Sequence, residues 1–251
     1  MNISCKVLNP SNEQLDVLIE GNDTSAITII MAHGLGVDKH ETGGMFDDIA
    51  KALGDSYRIV RFDFSGFGKS EGKTEEFDYH KHAADLDSII RYVNKIYGGT
   101  LYLIAQSMGT FVTSLLNPKG IKKTIFTGIP NSDTKYITDR LIKRFTSKPG
   151  AYIDLNGISL VPRSSGAIQK FGPQFWKTLA EFSPVPAVAA FAKQTSLLII
   201  HPKQDDVVGP EFQKEYEAIQ DVTIEWMDGD HSFKKPQDRL VLIERIKTFF
   251  S

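Results

Sequence analysis

The stretch Leu101-Tyr102-Leu103-Ile104-Ala105-Gln106-Ser107-Met108-Gly109 decides the fold. Its apolar first half is typical of a buried strand, and residues 110–116 continue as a helix. Between them, Ser107 stands in a small-x-Ser-x-small pattern. A serine in a sharp strand-to-helix turn needs small residues two positions away on either side, because the backbone segments cross closely there. Ala105 and Gly109 meet that need, so the stretch predicts an exposed serine at the end of a strand.

Strand-like and helix-like segments alternate on the N-terminal side of this stretch. Residues 27–31 are a β-branched run of the kind buried on both faces of a parallel sheet, and the run ends at His33-Gly34-Leu35-Gly36. A polar turn at residues 9–13 predicts that the chain opens with two antiparallel strands. The remaining predicted elements here are a helix near 45–53, a strand at 57–62 and a helix at 79–97.

On the C-terminal side, a strand at residues 123–127 is followed by a break in the alternation. The pattern resumes with a strand at 196–200, a helix at 210–218, a strand at 222–226 and a helix at 240–250. This order predicts an α/β fold with a mostly parallel central sheet and helices on both faces. Residues 1–127 and 187–251 are the predicted core, and 128–186 are predicted to be a small inserted cap.

The predicted cap has two features of its own. Asn156-Gly157, within residues 152–160, has the signature of a tight β-hairpin turn. The segment also has more bases than acids, and such an excess could attract substrates that bear a carboxylate or a phosphate. Solvated side chains are the commoner explanation, so the charge alone does not define a substrate. The bases are Lys135, Arg140, Lys143, Arg144, Lys148, Arg163 and Lys170.

Composition bounds the function. With 41% hydrophobic and 24% charged residues over 251 positions, the chain is long enough for one large α/β core. A net charge of −2 gives no reason to expect a nucleic-acid partner. Cys5 is the only cysteine, which excludes an intramolecular disulfide and a cysteine-based zinc site. No stretch predicts a signal peptide or a membrane anchor, so we expect a cytoplasmic protein, and a homodimer is left open.

Three residues, each after a predicted strand, provide what serine chemistry needs. A serine hydroxyl requires a base to take its proton, a group to orient that base, and donors for the oxyanion. Ser107 is the candidate nucleophile, Asp205 the candidate acid and His231 the candidate base, in the chain order Ser, Asp, His. Open α/β sheets place their sites at the carboxyl ends of strands. Asp206 is the direct competitor of Asp205.

These motifs, taken in order, resemble the α/β-hydrolase family over nearly the whole chain. The resemblance is closest to compact bacterial carboxylesterases of the cinnamoyl or feruloyl esterase and monoglyceride-lipase-like type, which share the His-Gly loop and the turn at residues 61–70. The family pattern Gly-x-x-Asp-x-x-Val falls on Pro202, Asp205 and Val208 and so favours Asp205. Pro202 replaces the usual glycine of that pattern, and Ala105 replaces the first glycine of the serine turn.

The resemblance implies an oxyanion hole made by the backbone N–H groups of Leu35 and Met108. Four further residues would support the site: His33, Gly34, Gly36 and Gln106. It also implies hydrolysis of short- to medium-chain acyl or aryl esters through an acyl-enzyme, without a cofactor or metal, on a small-molecule substrate. The alternatives are feruloyl or cinnamoyl esterase, monoacylglycerol lipase or thioesterase specificity. A different class is a non-hydrolytic ligand receptor on a hydrolase scaffold.

Overall fold

An eight-stranded sheet organises the computed structural model, which describes residues 1–163, 166–209, 211 and 213–251. The sheet order is β1-β2-β4-β3-β5-β6-β9-β10, and β7 pairs with β8 in a separate hairpin. Strand β2 runs antiparallel to both of its neighbours, and the other neighbours in the sheet are parallel. The strands are β1 (Asn2–Leu8), β2 (Gln14–Gly21), β3 (Ile27–Ala32), β4 (Arg58–Phe62), β5 (Thr100–Gln106), β6 (Ile121–Thr127), β7 (Ser159–Pro162), β8 (Ile168–Phe171), β9 (Ser196–Pro202) and β10 (Val222–Met227).

Helices cover both faces of the sheet. Because side chains alternate along a strand, Ile29 and Met31 of β3 belong to one apolar cluster and Ile30 and Ala32 to the other. The first cluster includes residues of α1 and α8, and the second includes residues of α2 and α3. The helices are α1 (Met45–Leu53), α2 (Tyr79–Ile96), α3 (Met108–Leu116), α4 (Thr134–Thr146), α5 (Pro173–Glu181), α6 (Pro184–Ala192), α7 (Lys214–Glu217) and α8 (Pro236–Phe250).

The predicted fold class is confirmed, since the long uninterrupted apolar runs are the strands buried on both faces. Two local predictions need correction. The helix predicted at 210–218 is helical at Lys214–Glu217, and positions 210 and 212 lie outside the described residues. The predicted hairpin across Asn156-Gly157 is reduced to a single bridge between Tyr152 and Leu160. Leu160 instead belongs to β7, which pairs with β8.

The segment between β6 and β9 contains α4, the β7–β8 hairpin, α5 and α6. Helix α4 contacts α5 and the first strand of the hairpin, whereas α6 packs on α3 of the core. Ile137 and Phe145 of α4 are buried, and both line the cavity described below. That this segment acts as a cap with boundaries at 128 and 186 stays a prediction.

Candidate active site

Ser107 occupies a strained turn between β5 and α3. Its φ and ψ are 52° and −120°, a conformation that non-glycine residues rarely adopt. The N–H of Ser107 donates to the Thr127 carbonyl at 3.0 Å, which ties the turn to β6. A Cβ on Gly109 would overlap the Ala32 carbonyl and lie 2.9 Å from that of His33, so a larger residue does not fit. The small residues therefore have the steric role that the sequence suggests.

His231 and Asp205 form a hydrogen-bonded pair. His231 Nδ1 lies 2.7 Å from Asp205 Oδ2 in the loops that follow β10 and β9. The other carboxylate oxygen of Asp205, Oδ1, accepts the peptide N–H groups of Val207 and Val208, each at 2.9 Å. Burial opposes ionisation of Asp205, but the charge and hydrogen bond of His231 and the two N–H groups outweigh it, so the pKa of Asp205 is lowered. The carboxylate is thus held in its charged form against the imidazole.

Asp206 is turned away from this pair. Its side chain is 73% exposed and lies 3.7 Å from Arg144, whereas that of Asp205 is 2% exposed. The choice between the two acids rests on a family pattern in the sequence, and the structure puts Asp205 beside the histidine. Pro202, which stands where the family pattern has glycine, is the last residue of β9.

Ser107 and His231 line the same cavity, which has a volume of about 190 Å³. No hydrogen bond joins their side chains in the described structure. Catalytic hydrogen bonds are often long in a ligand-free state and tighten when substrate binds. The Gln106 amide donates to the His231 carbonyl at 2.7 Å and accepts the Thr127 hydroxyl, so the residue before the serine anchors the histidine loop.

Gly128, the first residue after β6, is a site residue that the sequence analysis missed. Its φ is +54°, and a Cβ here would lie 2.9 Å from His231 Cε1 and 3.0 Å from Nδ1. The imidazole therefore sits where any other residue would place a side chain. A glycine after a strand does not by itself predict a contact with a histidine 103 positions later in the chain.

The loop after β3 supplies the second wall of the site. His33 is fully buried: Phe64 N–H donates to its Nε2 at 3.0 Å, and its Nδ1 is 2.8 Å from the Gly34 carbonyl. Burial lowers the pKa of His33, so the neutral ring donates from Nδ1 and fixes the Gly34 peptide. Of the residues that the structure describes, none accepts a hydrogen bond from the N–H of Leu35 or Met108, and both residues line the cavity.

Glu41 also lines the cavity, and sequence reasoning did not identify it. Its carboxylate accepts the N–H groups of Gly34 and, at 2.9 Å, Thr42. Burial raises the pKa of Glu41, although those two N–H groups and the charge of His231 act in the opposite direction. A Cβ on Gly34 would be 2.9 Å from Glu41 Oε1 and 3.2 Å from Ser107 Cβ. Glu41 and Ser107 therefore both pack against the position that a Gly34 side chain would occupy, which leaves no room for one.

Two kinds of feature are absent from the described residues. No group of three or more His, Cys, Asp or Glu side chains among them is arranged to hold a metal ion. None of their helices is both long enough and apolar enough to cross a membrane.

The architecture described above matches one protein family. Residues 27–218 match the model of the α/β hydrolase fold, and the chain belongs to this family. The family predicted from the motifs is therefore confirmed. No curated protein sequence matches the chain.

Solved structures of esterases share this fold. The esterase domain of a Rhodothermus marinus protein is 20% identical with a TM-score of 0.73, covering 99% of this chain and 97% of its own. Est1E from Butyrivibrio proteoclasticus, solved with ferulic acid bound, is 20% identical with a TM-score of 0.75, covering 98% of each chain. The Pyrococcus furiosus esterase Pf2001 is also 20% identical, with a TM-score of 0.72 and coverage of 99% and 90%.

Proposed function

We propose that this chain is a serine hydrolase that cleaves carboxylic esters. The observation that carries the proposal is the hydrogen-bonded pair of His231 and Asp205, whose histidine lines the same cavity as a serine in a strained strand-to-helix turn. The N–H groups of Leu35 and Met108 support it, because no described residue accepts a hydrogen bond from them and an acyl-transfer site needs donors for the oxyanion.

In the proposed reaction, Ser107 Oγ attacks the ester carbonyl while His231 Nε2 takes the hydroxyl proton. The carbonyl oxygen becomes an oxyanion, and the N–H groups of Leu35 and Met108 stabilise it. Asp205 holds the Nδ1–H of the imidazole and stabilises the imidazolium. The intermediate collapses with transfer of the proton from His231 to the leaving alkoxide, which departs as the alcohol. Water then attacks the acyl-enzyme in the same way and releases the acid and Ser107.

The cavity favours a compact substrate. Its volume of about 190 Å³ is below the roughly 300–1,000 Å³ of sites that take drug-sized ligands. Apolar side chains such as Ile137, Leu141 and Phe145 form part of its wall. We therefore propose short- to medium-chain acyl or aryl esters as substrates. Aryl esters of the ferulate type belong in the test panel, because Est1E, a structural neighbour, was solved with ferulic acid bound.

The test compares the chain with its Ser107→Ala variant on p-nitrophenyl acetate, p-nitrophenyl butyrate and methyl ferulate. We expect the variant to lose at least a factor of about 10³ in kcat on every ester that the unmodified chain hydrolyses. Ser147→Ala, which removes an exposed hydroxyl of the predicted cap, is the matched control and should keep full activity. Full activity in Ser107→Ala would overturn the proposal. Labelling of Ser107 by a fluorophosphonate without multiple turnover on any ester would instead favour the receptor alternative.

A further inference from the structure

Arg163 lies at the junction of two cavities. It follows β7, and its guanidinium packs so closely on Gly36 that a Cβ there would overlap it. Arg163 lines both the cavity that contains Ser107 and an adjoining open groove of about 410 Å³. The two spaces share Gly36, Val37 and Glu41 as well. A substrate that extends from Ser107 into the groove therefore passes the guanidinium.

The charge of Arg163 has no counterion within the described part of the chain. Its Nη2 donates to the side-chain oxygen of Gln169, which is a neutral amide. Its Nε is buried and has no hydrogen-bond partner. A buried guanidinium that lacks a carboxylate keeps most of the desolvation cost of its charge. The arrangement is therefore poorly satisfied without a further acceptor.

Two of the three fully buried arginines among the described residues have acidic partners, whereas Arg58 donates to the Ser25 and Asp23 carbonyls and the Thr28 hydroxyl. Arg61 forms ion pairs with Glu20 at 2.6 Å and Asp47 at 2.5 Å. Arg239 lies 2.8 Å from Asp48 and also donates to backbone carbonyls. Arg163 differs from these three arginines because its side chain lines the cavity that contains Ser107.

The charged neighbours of Arg163 increase its need for an anion. Burial and then the charge of Arg144 lower the pKa of Arg163 to about 10. Burial, then Arg163 and Arg144, lower the pKa of Lys148. Glu41, the acid on the cavity wall, has both oxygens occupied by the peptide N–H groups of Gly34 and Thr42. Among the described residues, the charged side chains that line the cavity are four bases and one acid: Arg140, Arg144, Arg163, Lys234 and Glu41.

We propose that Arg163 binds a free carboxylate of the substrate, so that the preferred substrates are esters that carry a second, unesterified carboxyl group. This inference rests on the proposed function and specifies its substrate class. A guanidinium presents parallel N–H groups that match the two oxygens of a carboxylate, and such a pair supplies both the missing charge and the missing acceptors. Arg163, one of the basic residues of 128–186, thus has a role in binding the substrate carboxylate.

The test measures the ratio of kcat/KM for an ester that carries a free carboxylate to kcat/KM for a neutral ester of similar shape. One pair of esters, mono-p-nitrophenyl adipate and p-nitrophenyl hexanoate, differs by a carboxylate on the acyl side. A second pair, 4-carboxyphenyl butyrate and phenyl butyrate, differs by one on the alcohol side. In at least one pair we expect kcat/KM for the charged ester to exceed that of its neutral partner by about tenfold or more. We expect Arg163→Gln to reduce that ratio about tenfold.

Lys170→Gln is the matched control. It removes the same charge from the same hairpin, but Lys170 is half exposed and pairs with Glu75 at 3.6 Å. The control should leave the ratio unchanged. A charged-to-neutral ratio below three in both pairs, or equal losses in Arg163→Gln and Lys170→Gln, would overturn the inference.

A binding measurement separates this inference from the proposed function. Calorimetry with monomethyl adipate and with 4-carboxyphenyl butyrate on Ser107→Ala, and on Ser107→Ala combined with Arg163→Gln, requires no turnover. We expect at least tenfold weaker binding of at least one of the two esters in the double variant, and equal binding of both would contradict the role of Arg163. If the neutral esters are hydrolysed by a Ser107-dependent route without any preference for charge, the inference fails and the proposed function stands. If no ester is hydrolysed but the binding difference is found, the proposed function fails, and what stands is that Arg163 binds a carboxylate.

Discussion

Asp205→Asn is the substitution whose effect the structure defines most closely. Oδ1 of Asp205 accepts two peptide N–H groups, from Val207 and Val208, and Oδ2 lies 2.7 Å from His231 Nδ1. In the variant, those two donors require the amide oxygen of the new side chain. Its NH₂ group must then face Nδ1, which becomes an acceptor. The proton of the neutral imidazole moves to Nε2, so the ring cannot take a proton from Ser107.

A base fixed in the wrong tautomer removes most of the catalysis while leaving the fold in place. In serine proteases the corresponding change lowers kcat by about 10⁴, and we expect a loss of about 10³–10⁴ here, or about 4–5.5 kcal/mol of transition-state stabilisation. Asp206→Asn is the matched control, because Asp206 is exposed and lies 3.7 Å from Arg144. It should stay within about twofold of the unmodified chain.

The assay is kcat/KM on p-nitrophenyl butyrate at constant pH, together with a Tm for each protein. A Tm close to that of the unmodified chain would show that a lost rate is not lost structure. The reasoning fails if Asp205→Asn keeps activity within tenfold of the unmodified chain. It also fails if Asp206→Asn is equally damaging.

Three further predictions follow from single contacts. Gly128→Ala and its control Gly120→Ala both place alanine in a left-handed backbone, at a cost of about 1 kcal/mol each. Only the Cβ of Gly128→Ala also displaces His231, so kcat/KM should fall at least tenfold in that variant alone. Equal activities of the two variants would contradict this. Burial lowers the pKa of His201 from 6.5 to about 4. As the pH is lowered from 6.5 to 4, the unfolded chain therefore protonates His201 before the folded chain does, and the free energy of unfolding should fall by up to about 3 kcal/mol. Urea unfolding of His201→Gln should show a shallower decline, and identical curves would refute the assignment. Glu41→Ala leaves two buried peptide N–H groups without an acceptor, so both Tm and kcat/KM should decrease, and no change in either would count against its role in the loop.

The features that the sequence predicted are those set by local pattern. Uninterrupted apolar runs predicted the buried strands, and the small residues around Ser107 predicted the turn. Chain order together with the family pattern pointed to Asp205 and His231, which the structure brings to 2.7 Å. The strands and the turn depend on few neighbours in the chain, so a pattern in one sequence suffices to find them, whereas the choice of Asp205 over Asp206 needed the family pattern.

The features that the sequence did not predict depend on contacts through space. Nothing in the stretch around Glu41 indicates that its carboxylate accepts the N–H of Gly34. Gly128 contacts the imidazole of His231, which lies in the loop after β10, far away in the sequence. The basic residues of 128–186 look alike in the sequence, yet Arg163 borders the cavity while Lys135 is 84% exposed. Which charge faces the site is decided by how α4 and the hairpin pack.

The central claim is that Ser107 forms an acyl-enzyme, and the most direct measurement is to trap that intermediate. The chain is mixed with excess p-nitrophenyl butyrate, quenched with acid within the first turnover, digested and analysed by mass spectrometry. We expect a butyryl group on the peptide that contains Ser107, together with a burst of nitrophenolate approaching one equivalent when deacylation is slow. Hydrolysis of the ester with no acyl group on Ser107, or with the group on another residue, would contradict the account.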